Sequence, residues 1–253
     1  TGLHTLAPQI RVSHEIKGRT PDALTIPAKE LKNSQKTLFY ERMAWTVTIP
    51  EITTEIDGNQ ICLSIGGVRA YNRENLNSKK TYEKFKFFVG FQNMVCLNLC
   101  ISSDGTALEL KSDSLLDLKT KLVEIIKTFN YKSQHQTLVK LTNNIITESQ
   151  LAQIIGKVRL YHFLSKKEKQ ALPELSITDN QFGIVARDYY NDESFCRNSS
   201  GDISLWKFYN LLTEATKTSY IDKFLDRTVN CYDLVNGISQ SLRKESSYSW
   251  FTH

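Results

Sequence analysis

Within Thr106-Ala-Leu-Glu-Leu-Lys-Ser-Asp-Ser-Leu-Leu-Asp-Leu-Lys-Thr-Lys-Leu-Val-Glu-Ile-Ile126 the spacing of apolar residues changes. Thr106 to Leu110 alternates as a short strand does, with Asp104-Gly105 as the turn before it. From Ser112 the spacing is helical: Leu115, Leu118, Leu122, Ile125, Ile126 and Phe129 share one face, with Ser112 or Ser114 as N-cap. Strand text precedes this point and helix text follows it. The reading is therefore α+β, an N-terminal antiparallel β-meander packed with a C-terminal helical region. It treats 1–253 as a single domain with an irregular lead-in over 1–34, a strand-rich part over 35–111 and a mainly helical part over 112–253.

Upstream, Pro8, Pro21 and Pro27 interrupt the lead-in, and Gly18 offers a turn. Lys36 to Ile49 is rich in aromatic and β-branched residues, and Pro50 is expected to end that strand. Asp57-Gly58 predicts a hairpin with Gln60 to Ala70 as the return. Phe85 to Phe91 and Met94 to Ser102 read as the next pair, turning at Gln92-Asn93. The links are too short for parallel crossovers. Gly66-Gly67 predicts a bulge or tight bend.

Downstream, Thr147-Glu-Ser-Gln150 is a capping box that opens a helix with Leu151, Ile154, Ile155, Val158 and Tyr161 on one face. His162 falls on that face as a buried histidine, and Lys166 to Lys169 reads as an exposed helix end. Pro173 and Asp179-Asn180 predict a loop. Further helices are expected from Asp202 or Ser204, carrying Leu205, Phe208, Tyr209 and Leu212, and from Ser219 to beyond Leu242.

The 253 residues are 40% hydrophobic and 23% charged, so the chain can bury a core and is not a disordered polyampholyte. No apolar run reaches the roughly 18 residues of a membrane helix. Five cysteines, an odd and sparse set, argue for a reducing compartment and a cytoplasmic location. Cys96 and Cys100 lack a second ligand pair, so no metal or other cofactor is expected.

Net charge is +5, and it is concentrated. Tyr131 to Gln170 holds seven Lys/Arg against two acids, and Arg69 to Gly90 holds six against two. Alternation in Tyr82-Glu-Lys-Phe-Lys-Phe-Phe88 places Lys84, Lys86 and Phe88 on one face of a strand. Such cations could neutralise phosphates, and nearby aromatics could stack on bases. The plain alternative is a half-buried strand with solvated lysines. Asp188, Asp192 and Glu193 could form a carboxylate site, but no nucleophile, base and orienting group converge in the sequence. Gly66-Gly67 and Gly156-Lys157 lack the context of a phosphate loop.

Several stretches together resemble a known family: Pro8 to His14, Tyr40 to Met43, Glu55 to Gly58, Gly66 to Asn72, Gly90 to Asn93, Val95 to Cys100, Asp188 to Tyr190, Ser194 to Arg197, Leu205 to Asn210 and Ser219 to Asp222. The family is an uncharacterised one of Bacteroidetes, catalogued as a domain of unknown function. Val95 to Cys100 and Trp206 to Asn210 are also similar to a phage- and plasmid-related family of unknown function. The resemblance brings no catalytic residues. It implies a cytoplasmic bacterial protein of mobile elements.

The leading functional expectation is a non-enzymatic protein binding single-stranded nucleic acid. Arg42, Arg69, Lys84, Lys86, Lys157 and Arg159 would meet phosphates, and Phe88 or Trp206 would stack. The alternatives are a protein-interaction module, with a host partner or a second copy on the tail Tyr248 to Phe251, and a carboxylate-based metal-dependent enzyme. No membrane association is expected.

Overall fold

Asp57 and Gly58 both take positive φ, 51° and 72°. This is the two-residue hairpin conformation whose twist matches that of paired strands, and Asp-Gly adopts it at little cost. It joins β2 (Arg42–Ile56) to β3 (Asn59–Ala70). β1 (Gln9–His14) pairs antiparallel with β2, and β4 (Glu83–Asn93) with β3. The far edge of β4 is shared by β5 (Leu99–Cys100) and β6 (Ala107–Ser112), both antiparallel to it. The computed structural model describes residues 9–14, 42–70, 83–101, 107–112, 115–219, 221–243 and 246–253.

The meander is as the sequence implies, with four corrections. β1 lies in the stretch read as irregular. Pro50 does not end its strand: β2 runs through it, and Pro50, Glu51 and Ile52 bulge between the Ile49–Leu63 and Thr53–Cys62 pairs. A bulge tolerates the missing N–H. Gly66 and Gly67 make no bend and continue β3 in regular register with Thr46 and Trp45. Gln92 and Asn93 are buried strand residues, and the turn follows at Met94 to Cys96. The expected Asp104-Gly105 turn lies outside the described residues.

Among the described residues, helices begin at α1 (Leu115–Thr128), where the apolar period changes. Then come α2 (Tyr131–Val139), a 3-10 turn (Lys140–Asn143), β7 (Ile145–Ile146) and α3 (Glu148–Phe163). They continue with α4 (Lys166–Gln170), α5 (Asp179–Asn191), β8 (Ile203–Ser204), α6 (Leu205–Thr216), α7 (Ile221–Ser241) and α8 (Ser249–Thr252). The Thr147–Gln150 capping box forms in both directions. Two more form: Ser165 with Glu168 makes the lysine cluster a helix start, and Thr178 with Gln181 turns the expected Asp179-Asn180 loop into the first turn of α5. β7 and β8 form a two-residue ladder inside the helical half.

α6 is the central element. Leu205, Trp206, Phe208, Tyr209, Leu211 and Leu212 are all buried, as are the polar Asn210, Thr213 and Thr216. A helix apolar on nearly every side must be enclosed. Asn210 fixes its position. Its Oδ1 accepts from Asn93 Nδ2 at 3.3 Å, and its backbone carbonyl accepts from Asn98 Nδ2 at 3.0 Å. From the preceding residue, the Tyr209 hydroxyl accepts from the Ile101 N–H at 3.1 Å. The stretches Val95–Cys100 and Leu205–Asn210 thus meet in space.

β4 is covered on both sides. Val89 and Phe91 join the main core with α6, while Phe88 packs with Leu99, Ile101 and Leu225 under α7. Gly90 permits this: a Cβ there would lie 2.9 Å from the Cys100 carbonyl oxygen. The C-terminal aromatic segment also docks on its own core. Phe251 is fully buried, and Trp250 and Tyr248 pack beside it. The tail expected to await a partner therefore serves as core.

His162 packs edge-on to Tyr161, with ring centroids 6.1 Å apart. Its buried Nε2 has no partner among the described residues. Burial lowers its pKa below the usual 6.5, against the opposing pull of Asp179.

Two outcomes follow. Asn210→Ala strands the Asn93 amide in the core and should cost roughly 2–3 kcal/mol by urea unfolding; an unchanged midpoint would remove Asn210 from its anchoring role. Below pH 6.5 the unfolded chain protonates residue 162 while the folded chain resists, so stability falls as pH drops. Between pH 7.5 and 5.5 (~2 pH units) the wild type should lose more stability than His162→Gln. Parallel pH slopes would contradict this.

Candidate functional site

Asn144 sits where three chain segments converge. Its carbonyl accepts the Leu205 N–H at 2.8 Å, tying the start of α6 to the end of the 3-10 turn. Its Nδ2 donates to the Lys140 carbonyl at 2.9 Å. Its Oδ1 faces Arg243 NH2 at 3.5 Å, at the limit of a hydrogen bond. Three cationic residues far apart in sequence thus belong to the segments that meet here: Arg243 reaches Asn144 with its side chain, Lys140 with its backbone, and Lys207 lies two residues into α6 from Leu205. Among the described residues none of the three has a carboxylate partner. Lys140 and Arg243 are exposed and Lys207 is half-buried.

At the other end of the β7–β8 ladder lies Glu148, the first residue of α3. Its Oε1 accepts from the Tyr190 hydroxyl at 2.6 Å, and its Oε2 lies 3.7 Å from Arg197 NH1. The Arg197 guanidinium lies over the Tyr190 ring, 4.4 Å from the centroid. The Glu148 carboxylate pushes the Tyr190 phenol pKa up. Gly201, at φ 86°, passes so close that a Cβ would meet Glu148 Oε2 at 3.1 Å. Tyr189 donates to the Gly201 carbonyl and holds this loop down. Ile145, between the two ends, is exposed.

The cations singled out from sequence are placed elsewhere. Arg42, Arg69 and Lys84 come to one end of the sheet: Arg42 opposite Ala70, Arg69 opposite Met43 and Phe85, and Lys84 opposite Lys111. Their side chains lie outside the described residues. Lys86 is bound to Asp226 of α7 at 2.6 Å. Arg159 pairs with Asp179 at 2.9 Å, and the Lys157 ammonium sits 5.1 Å from the centre of the Trp250 ring. Exposed pairs of this kind are weak and can be exchanged for phosphate contacts. The two stacking candidates are a clear correction. Phe88 is 2% exposed and Trp206 is 0% exposed, so neither ring can meet a base. Both belong to the core, because the strand and the helix that carry them are enclosed on both sides.

The carboxylates do not converge either. Asp188 is held by Arg187 at 2.6 Å, and Asp192 Oδ1 accepts the N–H groups of Ser194 and Phe195. Among the described residues no group of three or more His, Cys, Asp or Glu could hold a metal. Burial raises the Cys96 thiol to about 11 and the Cys100 thiol further, so both stay protonated at neutral pH. Along α7 a cleft of about 530 Å³ is lined by Lys223 and Arg227 against Glu174, Asp226 and Asp233. Its carboxylates outnumber its cations, which disfavours an anion there.

Lys140 lies inside the basic stretch visible in sequence. Arg243 was not legible as part of a site, because only the fold brings it to Asn144. No helix among the described residues is long and apolar enough to cross a membrane. No curated protein and no solved structure matches the chain. A family described as "Domain of unknown function, B. Theta Gene description (DUF3871)" matches residues 3–252, and the chain belongs to that family.

Proposed function

We propose that the protein is a non-enzymatic nucleic-acid-binding protein that holds its ligand through phosphates at the Asn144 surface. The observation that carries this is the contact of the Arg243 side chain with Asn144, where the segments that carry Lys140 and Lys207 also meet, none of the three having a carboxylate partner among the described residues. Cations on converging segments, without carboxylate partners among the described residues, favour a local positive potential that attracts a polyanion. The acid that follows Asn144 along the chain, Glu148, is already engaged by Tyr190 and Arg197. A cytoplasmic setting and a mobile-element origin fit this reading, since both put the protein beside nucleic acid. Val95–Cys100 and Trp206–Asn210 add no support of their own, because those residues are occupied in docking α6.

The test is a titration of a labelled single-stranded oligonucleotide. Three neutralised phosphates give a salt slope near −2, so raising salt fourfold should weaken binding roughly 20-fold. A Lys140→Glu, Lys207→Glu, Arg243→Glu triple variant should lose binding at low salt. Lys223→Glu should not: it lies twenty residues before Arg243, ~30 Å along a helix. Absence of binding by the wild type at micromolar protein in low salt overturns the proposal. So does equal loss in the Lys223→Glu variant.

A further inference from the structure

Tyr190 is 53% exposed, yet it is not free to rotate. Its hydroxyl is held by Glu148 at 2.6 Å, one face is covered by the Arg197 guanidinium 4.4 Å from the centroid, and the Tyr189 ring makes a T-shaped contact with it, centroids 4.9 Å apart. An exposed aromatic ring with its orientation fixed in advance loses little entropy when a flat group stacks on it. Stacking of this kind does not depend on which base is presented. Arg197 adds a second planar surface, itself exposed.

The position of this platform matters. The ladder pairs Ile145 with Ser204 and Ile146 with Ile203. Asn144 and its cations lie at one end, and Glu148 with Tyr190 and Arg197 lie at the other. From Asn144 to Glu148 is four residues, at most about 13 Å of extended chain, a gap a flexible single strand can bridge. Exposed Ile145 bridges the gap with an apolar surface. Charge is segregated along this line. The cation end suits a phosphate, while the Glu148 end repels one and offers a ring instead.

We infer that Tyr190, with Arg197 behind it, is a base-stacking subsite beside the phosphate-binding cations, so that the ligand is a single strand with unpaired bases rather than a duplex. This rests on the phosphate reading above and adds to it the group that recognises the base. The cluster would otherwise only tie the 192–202 loop to α3, and the two roles separate by experiment.

The probes are a labelled 15-nucleotide thymidine oligonucleotide (dT), the same strand in duplex with its complement, and inorganic polyphosphate, which has charge but no bases. Tyr190→Ala should weaken binding of the single strand roughly 5- to 150-fold, the range expected for one stacked base. It should leave polyphosphate binding unchanged. Tyr190→Phe loses the Glu148 bond but keeps the ring, and should retain most single-strand binding. The wild type should prefer the single strand over the duplex. Equal weakening of oligonucleotide and polyphosphate by Tyr190→Ala would overturn the stacking subsite, as would no weakening or a preference for the duplex. Failure of polyphosphate and oligonucleotide alike to bind the wild type would instead overturn the phosphate reading itself.

Discussion

Asn210 is the residue on which the two halves of the chain depend. It accepts from the amide of Asn93 and offers its backbone carbonyl to Asn98, in a region closed to water. Buried amides without partners are costly, so the β4–β5 turn and α6 each require the other in one register. Tyr209 adds a second tie, to Ile101. Polar bonds of this kind set position where apolar contacts alone would allow sliding.

The position of α6 decides the rest of the helical half. Its first residue is bonded to Asn144, and β8 leads directly into it. β7 and β8, and with them α3 and the 3-10 turn, are therefore located relative to the sheet by a helix that cannot shift. Arg243 and the segments that carry Lys140 and Lys207 meet at Asn144 as a consequence. The 192–202 loop is set by the same arrangement, since Gly201 passes close to Glu148 at a positive φ that favours glycine. A surface assembled from three remote segments is only as well defined as the element that joins them.

Much of the fold was legible. The period change near Ser112, the Asp57-Gly58 hairpin and the Thr147 capping box each follow from local chemistry, and each forms as spelled. The start of α5 carries the same signal, since Thr178-Asp-Asn-Gln181 repeats the pattern of Thr147-Glu-Ser-Gln150; Asp179-Asn180 mimics a turn only when Gln181 is overlooked. Pro50 was illegible because a bulge and a strand end present the same residue to the reader. The candidate site was the least legible part. Alternation around Phe88 suggests one solvated face, but α7 covers that face and pairs Asp226 with Lys86. Trp206 looks like an available aromatic until α6 is seen to be enclosed. Nothing in the text near Arg243 announces that it meets Asn144.

The central claim is that the surface around the β7–β8 ladder, held in place by α6, is where nucleic acid binds. Amide hydrogen exchange measured with and without a saturating thymidine oligonucleotide tests it without altering any residue. Slowed exchange over 140–148, 190–207 and 240–243, with the α7 cleft at 223–233 unchanged, is the predicted footprint. Slowed exchange confined to the α7 cleft or to the sheet, with none at the ladder, would contradict it.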